Sequence, residues 1–407
     1  MKNRKKKDIL FLCQFFYPEY VSSATLPFQT ALAYAKAGYR VGALCGYPKE
    51  YSDKKVRLKE KIRGIEIKRL KYLQLERSNF IGRLINYFSF TFAALLNVWR
   101  MKEYRYVIVY SNPPVLPIVA LLANKLFHTK IIFVAYDLYP EIAIKTGVLD
   151  SGSIISKVMC WINKELYSKA YKVVALSSEM KEFMRKNRNI DLDRIVVIPN
   201  WDTTVKSKDD GHKNRFEEEY KGKIVISYLG NMGTCQDMET LIGAIRELKD
   251  EPRIQFLFAG HGNKKESLKE IVKRENLKNV KILDFLQGKD FEDALEISTC
   301  SVVSLEKGLA GLCVPSKTYS YIEAGIPIIA IMEESDITRD IQKYKNGFIV
   351  QNGEKHKLGK KIYTLAENRE RFNETGKKEM KEKYKRTKML KKYINIIKME
   401  HKSINID

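Results

Sequence analysis

The sequence predicts an α/β fold of two doubly wound halves, and three observations carry that expectation. Short apolar runs alternate with amphipathic helical stretches from end to end, the pattern of parallel sheets covered by helices. A polar, charged stretch at 201–222, containing SKDDGHKNR and little that packs, divides the series in two. Glycine-bearing loops recur directly after the strand-like runs of the second half, at the edge where open parallel sheets bind ligands. With 407 residues, each half has room for its own core.

Taken in order, the opening MKNRKKKDILFLCQFF has a basic head and a short apolar run that meets Tyr17-Pro18 rather than a small-residue cleavage site. It reads as a first strand, 9–15, and not as a signal peptide. Further strands are expected at 40–45, 65–70, 106–110, 130–135, 172–176 and 195–198, which makes 1–200 a first domain. After the linker come strands at 223–229, 254–259, 280–283, 301–305, 326–332 and 348–350, giving a second domain over 223–384. The stretch YKRTKMLKKYINIIKM places apolar residues at helical spacing, so 385–407 is expected as a helix packing back towards the first domain. The segment FIGRLINYFSFTFAALLNVW at 80–99 is interrupted by Arg83 and flanked by Arg77, Arg100 and Lys102. It is marginal for spanning a bilayer, and fits a helix lying in the membrane interface or a buried core helix.

The 73 Lys and Arg against 49 Asp and Glu give a formal charge of +24, which attracts polyanions. No zinc-ligand spacing and no aromatic RNA-binding signature is present, so no specific nucleic acid is expected as a partner. Cys13, Cys45, Cys160, Cys235, Cys300 and Cys313 form no CxxC pair and read as buried, reduced thiols of a cytoplasmic protein. The histidines make no cluster, and Asp191-Leu192-Asp193 imitates a metal motif from within a polar turn, so no metal and no other cofactor is expected.

The densest chemistry lies in VPSKTYSYIEAGIPIIA, 314–330. Pro315 suits a first helical position, and Gly325 with Pro327 suits the stop. Ser316 and Lys317 then fall in the first turn, where free N–H groups and the positive end of the helix favour an anion. Lysine opposes that dipole, which hints at a bound negative charge; a solvated lysine is the plain alternative. Glu323 lies six residues on, about 9 Å along a helix axis. The spacing suits a diphosphate at one end and a sugar hydroxyl pair at the other.

These blocks, from FFYPEYVSSATLPFQTALAYAKAGYRV through YDLYPE, VVALSSEM, VIPNW and SYLGNMG to PSKTYSYIEAGIPIIA, cover nearly the whole chain. They resemble those of GT-B glycosyltransferases of family four, the retaining, nucleotide-sugar-dependent group. The likeness is greatest to the bacterial branch that builds capsule, O-antigen and exopolysaccharide units on a lipid carrier. The resemblance implies two Rossmann-like domains with an interdomain cleft, an acceptor on the first and a nucleoside diphosphate sugar, UDP by family weight, on the second.

By that resemblance Glu323 holds the ribose hydroxyls. The family's other glutamate falls at Pro315, and its cationic pair at Asn231 and Gln236, so both charges are missing. Lys317 is the expected substitute, aided by Ser316, the backbone of Gly230 to Gly233, and Gly260. Asp137 is the first choice for accepting the acceptor hydroxyl's proton, with Glu141 second; capping of a helix is the plain alternative for Asp137. Tyr17, Ser22 and Ser23 are expected at the acceptor, the serines capping the next helix as the plain alternative. The expected catalytic set is Asp137, Lys317 and Glu323, and the expected partners are a nucleotide sugar, a lipid-linked glycan and the anionic inner face of the cell membrane. A nucleotide-sugar 2-epimerase of the same fold and a non-enzymatic basic scaffold binding membrane or nucleic acid are the two alternatives.

Overall fold

The computed structural model describes residues 6–49, 52, 54–75, 80–204, 211–368, 372 and 374–403. Its first sheet is built from β1 (Lys7–Cys13), β2 (Val41–Gly46), β3 (Lys59–Ile62), β4 (Ile65–Leu70), β5 (Tyr104–Tyr110), β6 (Lys130–Val134), β7 (Lys172–Ala175) and β8 (Ile195–Val197). They lie in the order β3-β4-β2-β1-β5-β6-β7-β8. All neighbours are parallel except β3 and β4. The central strands β1, β2 and β5 are near-continuous apolar runs because both their faces are covered.

The edge strand β3 is absent from the sequence expectation. It turns into β4 through Arg63 and Gly64, both at positive φ (46° and 88°), with Ile62 opposite Ile65. A two-residue turn of this hand matches the twist of a hairpin. Elsewhere each expected strand is present within a few residues of its expected bounds.

The second sheet holds β9 (Ile224–Leu229), β10 (Ile254–Ala259), β11 (Val280–Leu283), β12 (Cys300–Ser304), β13 (Ile328–Ile331) and β14 (Gly347–Val350). The order is β11-β10-β9-β12-β13-β14, all parallel. Tyr228, Phe256 and Phe258 pack under Leu241, Ile245, Leu358 and Ile362 in one buried cluster.

Contacts divide the chain into two units: 1–200 with 311–314 and 387–407, and 201–310 with 315–386. In the first unit the helix Arg386–Ser403 is fixed by the Tyr34 hydroxyl, which donates to the Tyr393 carbonyl at 2.5 Å. In the second, residues 212–215 dock on Asp293, whose carboxylate meets His212 Nε2 at 2.9 Å and accepts from the Arg215 N–H at 3.0 Å.

Strand order fixes where ligands belong. It reverses between β1 and β5 in one sheet and between β9 and β12 in the other, and crevices open beyond the carboxyl ends of strands at such switch points. The loops to inspect are therefore those that follow β1, β5, β9 and β12.

Candidate active site

In the second unit the loop Gly230 to Gly233 leaves β9 at the switch point and lies against the loop leaving β10. The Gly230 and Met232 N–H groups donate to the carbonyls of Ala259 and His261, both at 2.7 Å. Glycine is needed at 260: a Cβ there would fall 1.9 Å from the Gly230 carbonyl oxygen, at φ 153°. Gly233 N–H donates to the Gln236 side-chain oxygen at 2.8 Å.

This corrects the expected anion cradle. Three of the four loop N–H groups are already engaged, one of them by the Gln236 side-chain oxygen. Asn231 is exposed at the tip of the loop, and its carbonyl accepts from the Tyr228 hydroxyl at 3.0 Å.

The helix after β12 is Lys317–Ala324, with Ser316 at the N-cap. Pro315 therefore precedes the cap and is not the first helical residue; its carbonyl accepts from the Thr318 N–H and hydroxyl. Tyr321 ties the helix to β9, its hydroxyl accepting from the Leu229 N–H at 2.9 Å.

Lys317 folds over the glycine loop. Its Nζ lies 3.3 Å from the centre of the Tyr228 ring and donates to the Asn231 carbonyl at 3.3 Å. Burial pushes this ammonium well below the ordinary lysine range. An anion placed beside it would favour the charged form. Ser316, exposed, stands at the N-cap beside it, while the Thr318 and Tyr319 N–H groups already donate to the Pro315 and Ser316 carbonyls at 3.2 and 3.3 Å.

Sequence reasoning missed a second cation on this edge. Lys264 donates to the Gln236 carbonyl at 2.6 Å and to Glu306 at 2.7 Å. Glu306 opens the loop after β12, and its N–H donates to the Cys235 carbonyl at 2.9 Å. His261 and Phe285, their rings 5.4 Å apart, stand on the same edge after β10 and β11. The post-strand position of each was the available signal.

Glu323 is not brought to this site. It sits near the end of its helix, paired with Lys381 at 3.0 Å, on a cavity of ≈ 860 Å³ lined by Asp202, Ser320, Ile224, Thr299 and Pro327. Ile224 begins β9, and Thr299 and Pro327 just precede β12 and β13, so the cavity lies at the amino-end edge. A helix antiparallel to its strands carries its last turn to the edge opposite its first. Asp202 accepts from the Ser320 hydroxyl at 2.7 Å, and burial raises its carboxyl above the ordinary range.

In the first unit Asp137 follows β6. The N–H groups of Tyr136 and Asp137 donate to the Ser111 hydroxyl at 3.0 and 3.1 Å, and residues 137–138 pair with the backbone at 312–313. Burial pushes the Asp137 carboxyl up to about 6. Asp137 caps no helix: the next one, Glu141–Lys145, starts from Pro140 without a side-chain cap. Glu141, the second choice of base, is paired with Arg188 at 2.5 Å.

Ser22 and Ser23 open the helix Ser22–Lys36 beyond the switch-point loop, and neither caps it, since Val21 holds that position without a side-chain bond. Tyr17 stacks on Phe28 with ring centres 4.6 Å apart, and its carbonyl accepts from Arg69 at 2.9 Å. Cys160 is exposed, against the expectation that the thiols are buried; among the described residues no group of three or more His, Cys, Asp or Glu side chains is placed to hold a metal.

Comparison with known proteins gives two family matches. Residues 210–382 match glycosyl transferases group 1, and residues 28–201 match a glycosyl transferase 4-like domain. The probable glycosyltransferase WbjE of Pseudomonas aeruginosa is 29% identical over 238 residues, 57% of this chain and 59% of WbjE. The putative colanic acid biosynthesis glycosyl transferase WcaI of Escherichia coli is 24% identical over 163 residues, 38% of this chain and 40% of WcaI. The matches span three-fifths or less of the length of these curated relatives. Among solved structures, Anabaena Alr3699/HepE in complex with UDP-glucose superposes with a TM-score of 0.69 over 97% of this chain and 100% of that one, at 14% identity. With two Rossmann-like units, each matched by its own glycosyltransferase domain, the chain belongs to the GT-B glycosyltransferases of group 1.

Proposed function

We propose that the protein transfers a glycosyl group from a nucleoside diphosphate sugar to a hydroxyl of a lipid-linked glycan, keeping the anomeric configuration, in the synthesis of a cell-surface polysaccharide such as a capsule or O-antigen. The observation that carries this is Lys317, the first residue of its helix, held over the glycine loop at the β9–β12 switch point. As the glycosidic bond breaks, charge develops on the leaving diphosphate; Lys317, the Asn231 N–H and the helix N-terminus stabilise it there. Asp137, a carboxyl titrating near neutrality at the first sheet's own ligand edge, accepts the acceptor hydroxyl's proton. Same-face attack needs no protein nucleophile and, in this reading, no metal. The UDP-glucose complex of HepE supports a UDP-linked donor, and the name of WcaI supports the polysaccharide context.

The test incubates radiolabelled UDP-sugars with the full chain, with and without a lipid-linked acceptor. Label should pass to the lipid fraction only when acceptor is present, and the linkage formed should keep the donor's anomeric configuration by NMR. Donor turnover without acceptor identifies the 2-epimerase reading instead, and absence of any nucleotide affinity leaves only a basic scaffold.

A further inference from the structure

The helix Phe80–Leu95 is apolar on two sides. Asn86, Phe90, Thr91 and Ala94 are buried against the first unit, while Phe88, Phe92 and Leu96 are 46, 62 and 67% exposed at four-residue spacing. Trp99, 61% exposed in the following 3-10 turn Val98–Glu103, prolongs the stripe and meets Phe127 with ring centres 5.4 Å apart. Helices of soluble proteins usually turn charged residues to the free side, so a second apolar face marks an interaction surface.

The rim of the stripe is basic. Arg100, Lys102 and Lys125 are exposed beside Trp99 and Phe127, and Lys6 donates to the Phe127 carbonyl at 3.2 Å. Lys68 adds to this charge, its ammonium lowered first by burial and then by neighbouring Arg100 and Lys59. The acid among them, Glu103, is engaged 3.6 Å from Lys7.

We propose that this stripe docks the protein on an anionic lipid bilayer, with Phe88, Phe92, Leu96 and Trp99 in the acyl boundary and the basic rim on the headgroups. The proposal deepens the reading above, on which it rests for the lipid-borne acceptor. Charge complementarity selects the occupant: a second copy would set two basic rims against each other, whereas an anionic surface neutralises one. No described helix is long and apolar enough to cross a membrane, so the helix lies in the interface plane, where tryptophan is favoured.

The experiment mixes the full chain with vesicles of phosphatidylcholine, alone or with phosphatidylglycerol, and reads co-sedimentation and tryptophan emission. A Trp161→Phe background leaves Trp99 as the exposed reporter, since Trp201 is buried. Binding should require phosphatidylglycerol, weaken at high salt and shift Trp99 emission to the blue. Arg100→Glu with Lys102→Glu should lower partitioning at least about thirtyfold. Phe92→Ser with Leu96→Ser should lower it at least about tenfold and abolish the shift.

UDP-glucose affinity and melting temperature, measured on each variant, confirm that it is folded. Partitioning of the serine variant equal to wild type, unchanged Trp99 emission on vesicles that bind, or a wild-type dimer that the serine variant dissolves without vesicle binding would each overturn the proposal. Intact donor binding without vesicle binding sinks the docking surface alone; vesicle binding without donor binding sinks the catalytic reading alone.

Discussion

Asp137 shows how one residue acquires a chemistry its neighbours in sequence do not announce. Its place after a strand of the first sheet is readable in AYDLYPE, but its pairing with the backbone at 312–313 is not, since no local pattern ties the two segments together. Burial raises the carboxyl to about 6. Below that pH the acid form dominates and accepts no proton; above it the carboxylate does. The rate of transfer, as kcat/KM, should therefore rise with pH through about 6, and Asp137→Asn should remove this limb and cost roughly 10²–10⁴ in rate at pH 7.5. An unchanged pH profile in the variant would assign the proton to another group. Glu323 marks the opposite limit: its sequence position suggested a ligand, yet helix direction carries it to the far edge of the sheet and into a pair with Lys381.

At the scale of elements, alternation of apolar runs and helices was enough to place the strands of both sheets, because parallel strands buried on both faces leave long apolar runs. The hairpin of β3 escaped because Arg63-Gly64 offers a weaker turn signal than Asn-Gly. The glycine loops were legible as sharp turns at a ligand edge, but not the use to which their N–H groups are put, since Ala259 and His261 approach from another strand. Backbone-to-backbone contact there has a measurable consequence. Gly260→Ala should cost roughly 2–4 kcal/mol of stability, seen as a fall in melting temperature, because the added methyl meets the Gly230 carbonyl and the residue's φ disfavours a side chain. Gly353→Ala, with open space around its Cβ, should cost less than this and serves as the comparison.

Across the whole molecule, each of the two sheets supplies its own switch point and its own candidate chemistry: a cation at a helix start on one, a carboxyl raised by burial to about 6 on the other. In the proposed reading the donor half rests on strand order plus Lys317, which stands in for the expected cationic pair. Its most direct measurement is isothermal titration of UDP-glucose into the wild-type chain, Lys317→Ala and Glu323→Ala. Lys317→Ala should weaken binding about 10- to 100-fold, the loss of one charge-assisted hydrogen bond of roughly 1.5–3 kcal/mol. Glu323→Ala should stay within about twofold of wild type, as for a surface residue away from the ligand. Wild-type affinity in Lys317→Ala, or the large loss appearing in Glu323→Ala instead, would contradict a diphosphate at the start of the Lys317–Ala324 helix.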